Sequence, residues 1–182
     1  MRFTDALVPL RRGLDLVSRT GSEDLRARLM NNIAMSHVLL GQFDEAVDMA
    51  GQALTLRASP WIEAYLLDTL GQAHTGLGAY DEAGKAHRTA LDLIHDHGDR
   101  CAEPYALHHL GLAERGRGDT AEARSAWQTA LRIMDEFPHT AWPNRPELLR
   151  LIAELDGQPA GHSTPATDSA AVRVKAPGTK AD

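Results

Sequence analysis

The chain has little of what disulfide-bonded, membrane-spanning or nucleic-acid-binding proteins usually contain. Cys101 is the one cysteine in 182 residues, so no disulfide can form within the chain. Charged residues interrupt every apolar run well before the roughly 18 residues that a membrane span needs, and Asp5 and Arg11 argue against a signal peptide. The net charge is −6, with basic residues interleaved among acidic ones, which disfavours direct binding to nucleic acid. These absences favour a soluble, cytoplasmic protein.

Aromatic residues are scarce as well, at 5% of the chain, which favours helices built from alanine and leucine. Glycine, in contrast, recurs in register. The stretches LGQAHTGLGAYDEA (70–83) and LGLAERGRGDTAEA (110–123) carry three glycines each, and every glycine of the second lies 40 residues after its counterpart in the first. A glycine inside a helix costs about 1 kcal/mol relative to alanine. A cost that recurs in register indicates a structural requirement.

Four segments share a pattern of small residues that defines an internal repeat. They begin at Phe3, Phe43, Tyr80 and Thr120, and in each a leucine follows the second small position. The small positions are Ala6, Ala46, Ala83 and Ala123, then Gly13, Ala53, Ala90 and Ala130 seven residues later. A second amphipathic helical pattern precedes three of the segments. The predicted unit is therefore helix A, a tight turn and helix B.

One such unit cannot cover its own apolar face, whereas stacked units can, so the repeat predicts an all-α, right-handed solenoid of antiparallel helix pairs over residues 1–157. We expect Gly71 and Gly111 to let helix B pack closely against helix A, and Gly41, Gly78 and Gly118 to adopt positive φ in the turns. The predicted parts are a half repeat over 1–24, repeats over about 25–60, 61–100 and 101–138, a capping helix over 144–156 and a disordered tail over 158–182.

The residues Leu70-Gly71, Tyr80, Ala83 and Ala90 resemble the tetratricopeptide repeat, and Leu110-Gly111 with its following alanines repeats the pattern. The spacings of 40, 37 and 40 residues are longer than the usual repeat of about 34. The resemblance implies a regulatory adaptor that binds a protein or peptide in a concave groove, with no catalysis and no cofactor of its own.

A narrower resemblance concerns the stretch RTALDLIHDHGDR (88–100) and the repeat around it, which look like the C-terminal tetratricopeptide region of SARP-type (AfsR-like) transcriptional regulators and related STAND ATPases. It implies an alternative role as a detached sensor arm that acts on DNA only through partners. The sequence contains no GxxxxGK[ST] phosphate loop, so ATP hydrolysis is not carried over.

The family lines its groove with one face of the A helices, and that face is carried over here position by position. Tyr65 and Tyr105 are equivalent positions, and tyrosine suits peptide binding because it combines a large apolar face with a polar tip. The alternative is that both tyrosines pack against the adjacent A helix. The predicted groove residues are Arg28, Asn31, Met35 and Val38, then Tyr65, Asp68, Gln72 and Thr75, then Tyr105, His108, Leu112 and Arg115.

Metal and thiol chemistry are disfavoured by spacing. His95 and His97 point to different faces of a helix, while His108 and His109 lie about 100° apart without an HExxH-like partner. We therefore predict no metal and read the histidines as surface or interface residues. Nothing around Cys101 marks a nucleophile. A metal- or thiol-dependent enzyme remains the second alternative, and it would need a convergent polar pocket.

The half repeat carries an apolar stripe that no preceding helix A covers in the pattern. Its members are Leu7, Leu10, Leu14 and Val17. Because exposed apolar patches usually mark interfaces, we expect a homodimer through this segment.

Overall fold

The computed structural model describes residues 3–18, 21–138 and 144–157, and these ranges contain eight α-helices and no strand. The helices are α1 (Phe3–Val17), α2 (Glu23–Leu39), α3 (Phe43–Leu54), α4 (Pro60–Gly76), α5 (Tyr80–Asp96), α6 (Glu103–Arg117), α7 (Thr120–Glu136) and α8 (Arg145–Asp156). The predicted all-α solenoid of helix pairs is confirmed. The predicted disordered tail, 158–182, lies outside the described residues. None of the described helices is both long and apolar enough to cross a membrane.

The turns between helices A and B depend on glycine. Gly41, Gly78 and Gly118 have φ values of 72°, 74° and 92°, as predicted, and side chains other than glycine rarely adopt this region. After the last of these turns, the carboxylate of Asp119 accepts a hydrogen bond from the backbone N–H of Glu122 at 3.0 Å. This bond caps the first turn of α7.

The A helices form the inner layer of the stack. Helix α2 contacts α4, and α4 contacts α6, in addition to the contacts within each pair. Within the described ranges, the B helices of neighbouring units (α3, α5 and α7) share at most marginal contact. The stack therefore curves with the A helices on its concave side. Helix α8 packs against α7 and buries Leu148, Leu151 and Leu155 in the C-terminal apolar cluster.

The mid-helix glycines accept a large ring from helix B of the same pair. A Cβ atom added at Gly71 would lie 2.5 Å from Cε1 of His87, and one added at Gly111 would overlap the indole ring of Trp127. Both rings are fully buried. The expected close approach of helix B at Gly71 and Gly111 is confirmed, and it makes room for one specific ring in each unit.

A second set of glycines joins neighbouring units. Gly76 lies against the ring of Phe43, and Gly116 lies against the ring of Tyr80, so closely that a Cβ atom at either glycine would overlap the ring. In each case an aromatic residue at the start of helix B contacts the last turn of the next helix A. The glycines in register thus serve packing within units and packing between units.

The core has apolar ends and a polar middle. Residues of α2, α3 and α4 form the first apolar cluster, and Trp127 belongs to the last. Between these clusters the buried side chains include Asp68, His87 and His109. A buried polar group needs a partner, so this middle layer must be internally hydrogen bonded.

Candidate binding groove and buried polar cluster

Trp61 and Tyr65, one turn apart on α4, form an exposed aromatic ridge. Their side chains are 38% and 43% exposed, and their ring centroids lie 5.8 Å apart at an interplanar angle of 89°. The guanidinium carbon of Arg28, on α2, lies 5.5 Å from the centroid of the Trp61 ring. This distance is within the range of a cation–π contact, so two neighbouring A helices present one connected surface.

Three neighbouring cavities share Tyr65 as a wall. The largest has a volume of about 390 Å³ and lies between α4, α5 and the start of α6. Its lining residues are Ala64, Tyr65, Asp68, Ile94, Cys101, Ala102 and Tyr105. A second, of about 230 Å³, adjoins it at Ile94 and Ala102, and a third, of about 200 Å³, lies on the α2 side beside Asn31. The surface around Tyr65 therefore continues across three units.

Tyr105, the repeat equivalent of Tyr65, lies deeper. Its ring is half-buried and stands edge-on to the His109 imidazole, with centroids 4.6 Å apart. The amide Nε2 of Gln72, on the adjacent A helix, donates to its hydroxyl at 3.4 Å. Burial and the negative charge of Asp68 raise the pKa of Tyr105, so the phenol stays neutral. Tyr105 forms the base of the largest cavity, whereas Tyr65 forms its rim.

The remaining predicted groove residues differ in how deeply they are buried. Arg28 is exposed, and six others are half-buried, namely Asn31, Met35, Val38, Gln72, Thr75 and Leu112. Arg115 is also half-buried, with its guanidinium over the Trp127 ring and an ion pair to Glu154 at 3.3 Å. Asp68 and His108 are buried, at 2% and 4% exposure. Their side chains belong to the core layer beneath the groove.

Asp68, His87 and His109 come from three successive helices and meet in one buried cluster. Nδ1 of His87 lies 3.1 Å from Oδ1 of Asp68, and Nδ1 of His109 lies 3.0 Å from the same oxygen. Nε2 of Gln72 donates to the other oxygen, Oδ2, at 2.8 Å. The cluster ties α4, α5 and α6 together through one carboxylate.

The electrostatics of this cluster keep the carboxyl group ionised. Burial alone would raise the pKa of Asp68, but the charges and hydrogen bonds of His109 and His87 together lower it well below its usual range. Beside them, burial and the neighbouring His109 lower the pKa of His108 to about 4. His108 is therefore neutral at neutral pH.

Sequence reasoning missed Trp61 and His87. Trp61, in the first turn of α4, lies 40 residues before Cys101, which is in the turn that precedes α6, and each residue lines a cavity beside Tyr65. His87 occupies the position that Trp127 fills in the next unit, 16 residues after a mid-helix glycine. A histidine at a core position needs a buried hydrogen-bond partner, and that signal was available in the repeat alignment.

Comparison with known proteins gives one family match and a set of similar folds. Residues 26–59, which include most of α2 and all of α3, match a tetratricopeptide repeat model. A TPR-like protein from Chlorobium tepidum TLS is similar in structure, with a TM-score of 0.54 and 20% identity over 75% of this chain and 96% of that one. The crystal structure of MamA is also similar, with a TM-score of 0.56 and 16% identity over 85% and 87%. No curated protein matches the chain. At these identities the solved structures show the fold alone.

Proposed function

We propose that the chain is a tetratricopeptide-repeat adaptor that binds an extended segment of a partner protein and catalyses no reaction itself. The proposed binding surface, called the Tyr65 groove below, comprises Arg28, Asn31, Trp61, Tyr65, Ile94, Ala102 and Tyr105. The observation that carries the proposal is the exposed ring of Tyr65, which stands where three cavities meet. Exposed apolar surface next to cavities is a common feature of protein interaction sites.

The walls of the groove indicate which partner groups it suits. Ile94, Ala102 and Tyr105 offer an apolar cavity of about 390 Å³, which fits an apolar side chain of the partner. Arg28 offers a positive charge at one end, which suits an acidic residue. Tyrosine, tryptophan and arginine are also the residues that contribute most to binding energy at interfaces.

Truncating two rings of the groove should weaken partner binding without unfolding the chain. In the variant Trp61→Ala/Tyr65→Ala, and in Tyr65→Ala/Tyr105→Ala, we expect a loss of about 2 kcal/mol or more, which is roughly thirtyfold in affinity. The measurement is the yield of crosslinked partner in the cells that naturally produce the protein. A photo-crosslinking amino acid replaces Asn32, at the groove edge, with and without the ring substitutions.

Leu77→Ala is the matched control, because Leu77 is 44% exposed on an A–B turn outside the groove. Thermal melting must show that each variant is folded. A partner that is crosslinked equally to the wild type, the ring variants and the control would contradict the groove. A partner lost only from the ring variants supports it.

Fewer observations support the other functional hypotheses. A role as the sensor arm of a SARP- or STAND-type regulator, and a cytoplasmic location, remain predictions from the sequence. An enzymatic role would need convergent polar groups in an open pocket, whereas the walls around Tyr65 are mainly apolar. This lining supports binding rather than catalysis.

Self-association through α1 is a further expectation. Val8 and Leu16 are 57% and 65% exposed, whereas Leu14 packs against the cluster of Ala27 and Met30. We therefore expect Val8→Glu/Leu16→Glu to weaken a homodimer in sedimentation experiments, and Leu149→Glu, a similarly exposed position on α8, to leave it intact. A wild type that sediments as a monomer at high concentration would refute this expectation.

A further inference from the structure

We propose that Asp68, His87 and His109 form a binding site for a divalent transition-metal ion, for which zinc is the best-matched probe. One ligand atom from each residue lies within 4.8 Å of the other two, and all three residues are buried. One carboxylate oxygen and two imidazole nitrogens are a donor set that zinc and related ions accept. The three ligands lie beneath the Tyr65 groove, and the proposal requires no partner to be bound there.

Two of the three distances between the ligand atoms are close to those around a shared ion, and all three atoms lie within 4.8 Å of one another. Zinc bonds to nitrogen and oxygen at about 2.0–2.2 Å, so two ligands of one tetrahedral ion lie about 3.3 Å apart. Oδ1 of Asp68 lies 3.1 Å from Nδ1 of His87 and 3.0 Å from Nδ1 of His109. Small side-chain shifts would therefore convert the hydrogen-bonded cluster into a coordination site.

Surrounding groups hold the ligands in place. Gln72 donates to Oδ2 of Asp68 and so leaves Oδ1 directed at the histidines. Gly71 lies against the His87 ring, and the edge-on ring of Tyr105 packs against His109. Outer contacts of this kind orient ligands and strengthen metal sites.

The charge of the cluster also favours a cation. Asp68 is buried, and the groups that contact its oxygens are two imidazoles and an amide. Both imidazoles must be neutral to bind a metal, so neither can then offer the carboxylate a positive charge. A divalent ion would supply the compensation that a buried carboxylate requires.

The largest cavity gives the site an entrance. It is lined by both Asp68 and Tyr105 and has a volume of about 390 Å³, so a space large enough for an ion and water adjoins the residue that supplies the carboxylate. Three protein ligands leave a fourth position for water or a donor group, which is the arrangement of an open site rather than a closed structural one.

Zinc titration of the full chain, stripped with a chelator, tests the site. We expect one zinc ion per chain, and a loss of affinity of more than about 100-fold in His87→Asn and in His109→Asn, since ligand loss should exceed the effect of losing an outer contact. An asparagine amide can still donate a hydrogen bond to Asp68 but is a poor zinc ligand. His95→Asn/His97→Asn, at two exposed histidines, is the control and should bind normally.

X-ray absorption of the zinc-loaded wild type provides a readout that requires no variant to fold. Two imidazoles and an oxygen ligand, with no sulfur from Cys101, would support the site. The proposal is overturned by the absence of stoichiometric zinc, by one imidazole or none, by a sulfur ligand, or by folded asparagine variants that bind zinc as the wild type does.

Discussion

Replacing Trp127 with alanine should lower the free energy of unfolding by about 3–5 kcal/mol, the usual cost of truncating a large buried aromatic side chain. The Trp127 side chain is fully buried and packs in the apolar cluster that contains Leu110 and Leu148. Its Nε1 also donates to the backbone carbonyl of His108 at 3.1 Å, so truncation leaves a buried carbonyl without this bond. Equilibrium unfolding in denaturant measures the change.

The contact between Gly111 and Trp127 predicts that the effect of Gly111→Ala on the free energy of unfolding changes sign when the Trp127 ring is removed. Gly111→Ala alone should cost about 1–3 kcal/mol, because its Cβ atom overlaps the indole ring. In the Trp127→Ala background the ring is gone, and the same change should stabilise the helix by up to about 1 kcal/mol. Gly51→Ala is the control, since a Cβ atom there meets nothing within 4 Å and should stabilise α3 in either background. Additive effects at Gly111 and Trp127 would contradict direct contact.

Acidification from pH 6.5 to 4 should lower the free energy of unfolding by up to roughly 3 kcal/mol through His108 alone. This free energy corresponds to the difference between the ordinary pKa of His108 and its pKa in the folded chain. The folded pKa of about 4 lies below the ordinary value of 6.5, so the unfolded chain binds the proton first as the pH falls. The contribution is complete above pH 6.5, declines through this window and does not fall further below about 4. Burial lowers the pKa of His74 as well, with the same sign.

His108→Gln isolates this effect, because glutamine does not titrate. We expect its unfolding free energy to depend less steeply on pH between 6.5 and 4 than that of the wild type, while the exposed His97→Gln control keeps the wild-type slope. The lowered pKa of Asp68 acts in a different window, since its contribution is lost only below about 3.8. Equal slopes for His108→Gln and the wild type would contradict the assignment.

The helix pairs and their turns could be predicted because they follow from local sequence. A 3.6-residue periodicity, small residues in register and glycines at positive φ act within one unit and recur in the next. Gly118, for example, could be placed in a turn without knowing anything about its neighbours in space. The ring that fills the space beside Gly111 could not, because it comes from another helix.

The polar cluster could not be predicted in the same way. His87 and His109 are 19 and 41 residues from Asp68, and their meeting depends on how α5 and α6 rotate against α4. Sequence spacing within one helix indicates no metal-ligand partner for His109, because it relates His109 only to its neighbour His108 and not to residues on other helices. Tyr65 and Tyr105 show the same limit, because they are equivalent positions in the repeat but only Tyr105 packs against His109 and accepts a hydrogen bond from Gln72.

Peptide affinity is the most direct measurement of whether the Tyr65 groove binds an extended partner segment. Peptides selected from a random display library against the wild-type chain provide ligands, and their Kd is then measured against Trp61→Ala/Tyr65→Ala and against Leu77→Ala. We predict that the ring variant weakens binding by roughly thirtyfold or more, while the control stays within about twofold of the wild type. Unchanged affinity for the folded ring variant, or failure of the folded wild type to select any peptide, would contradict a binding function for the groove.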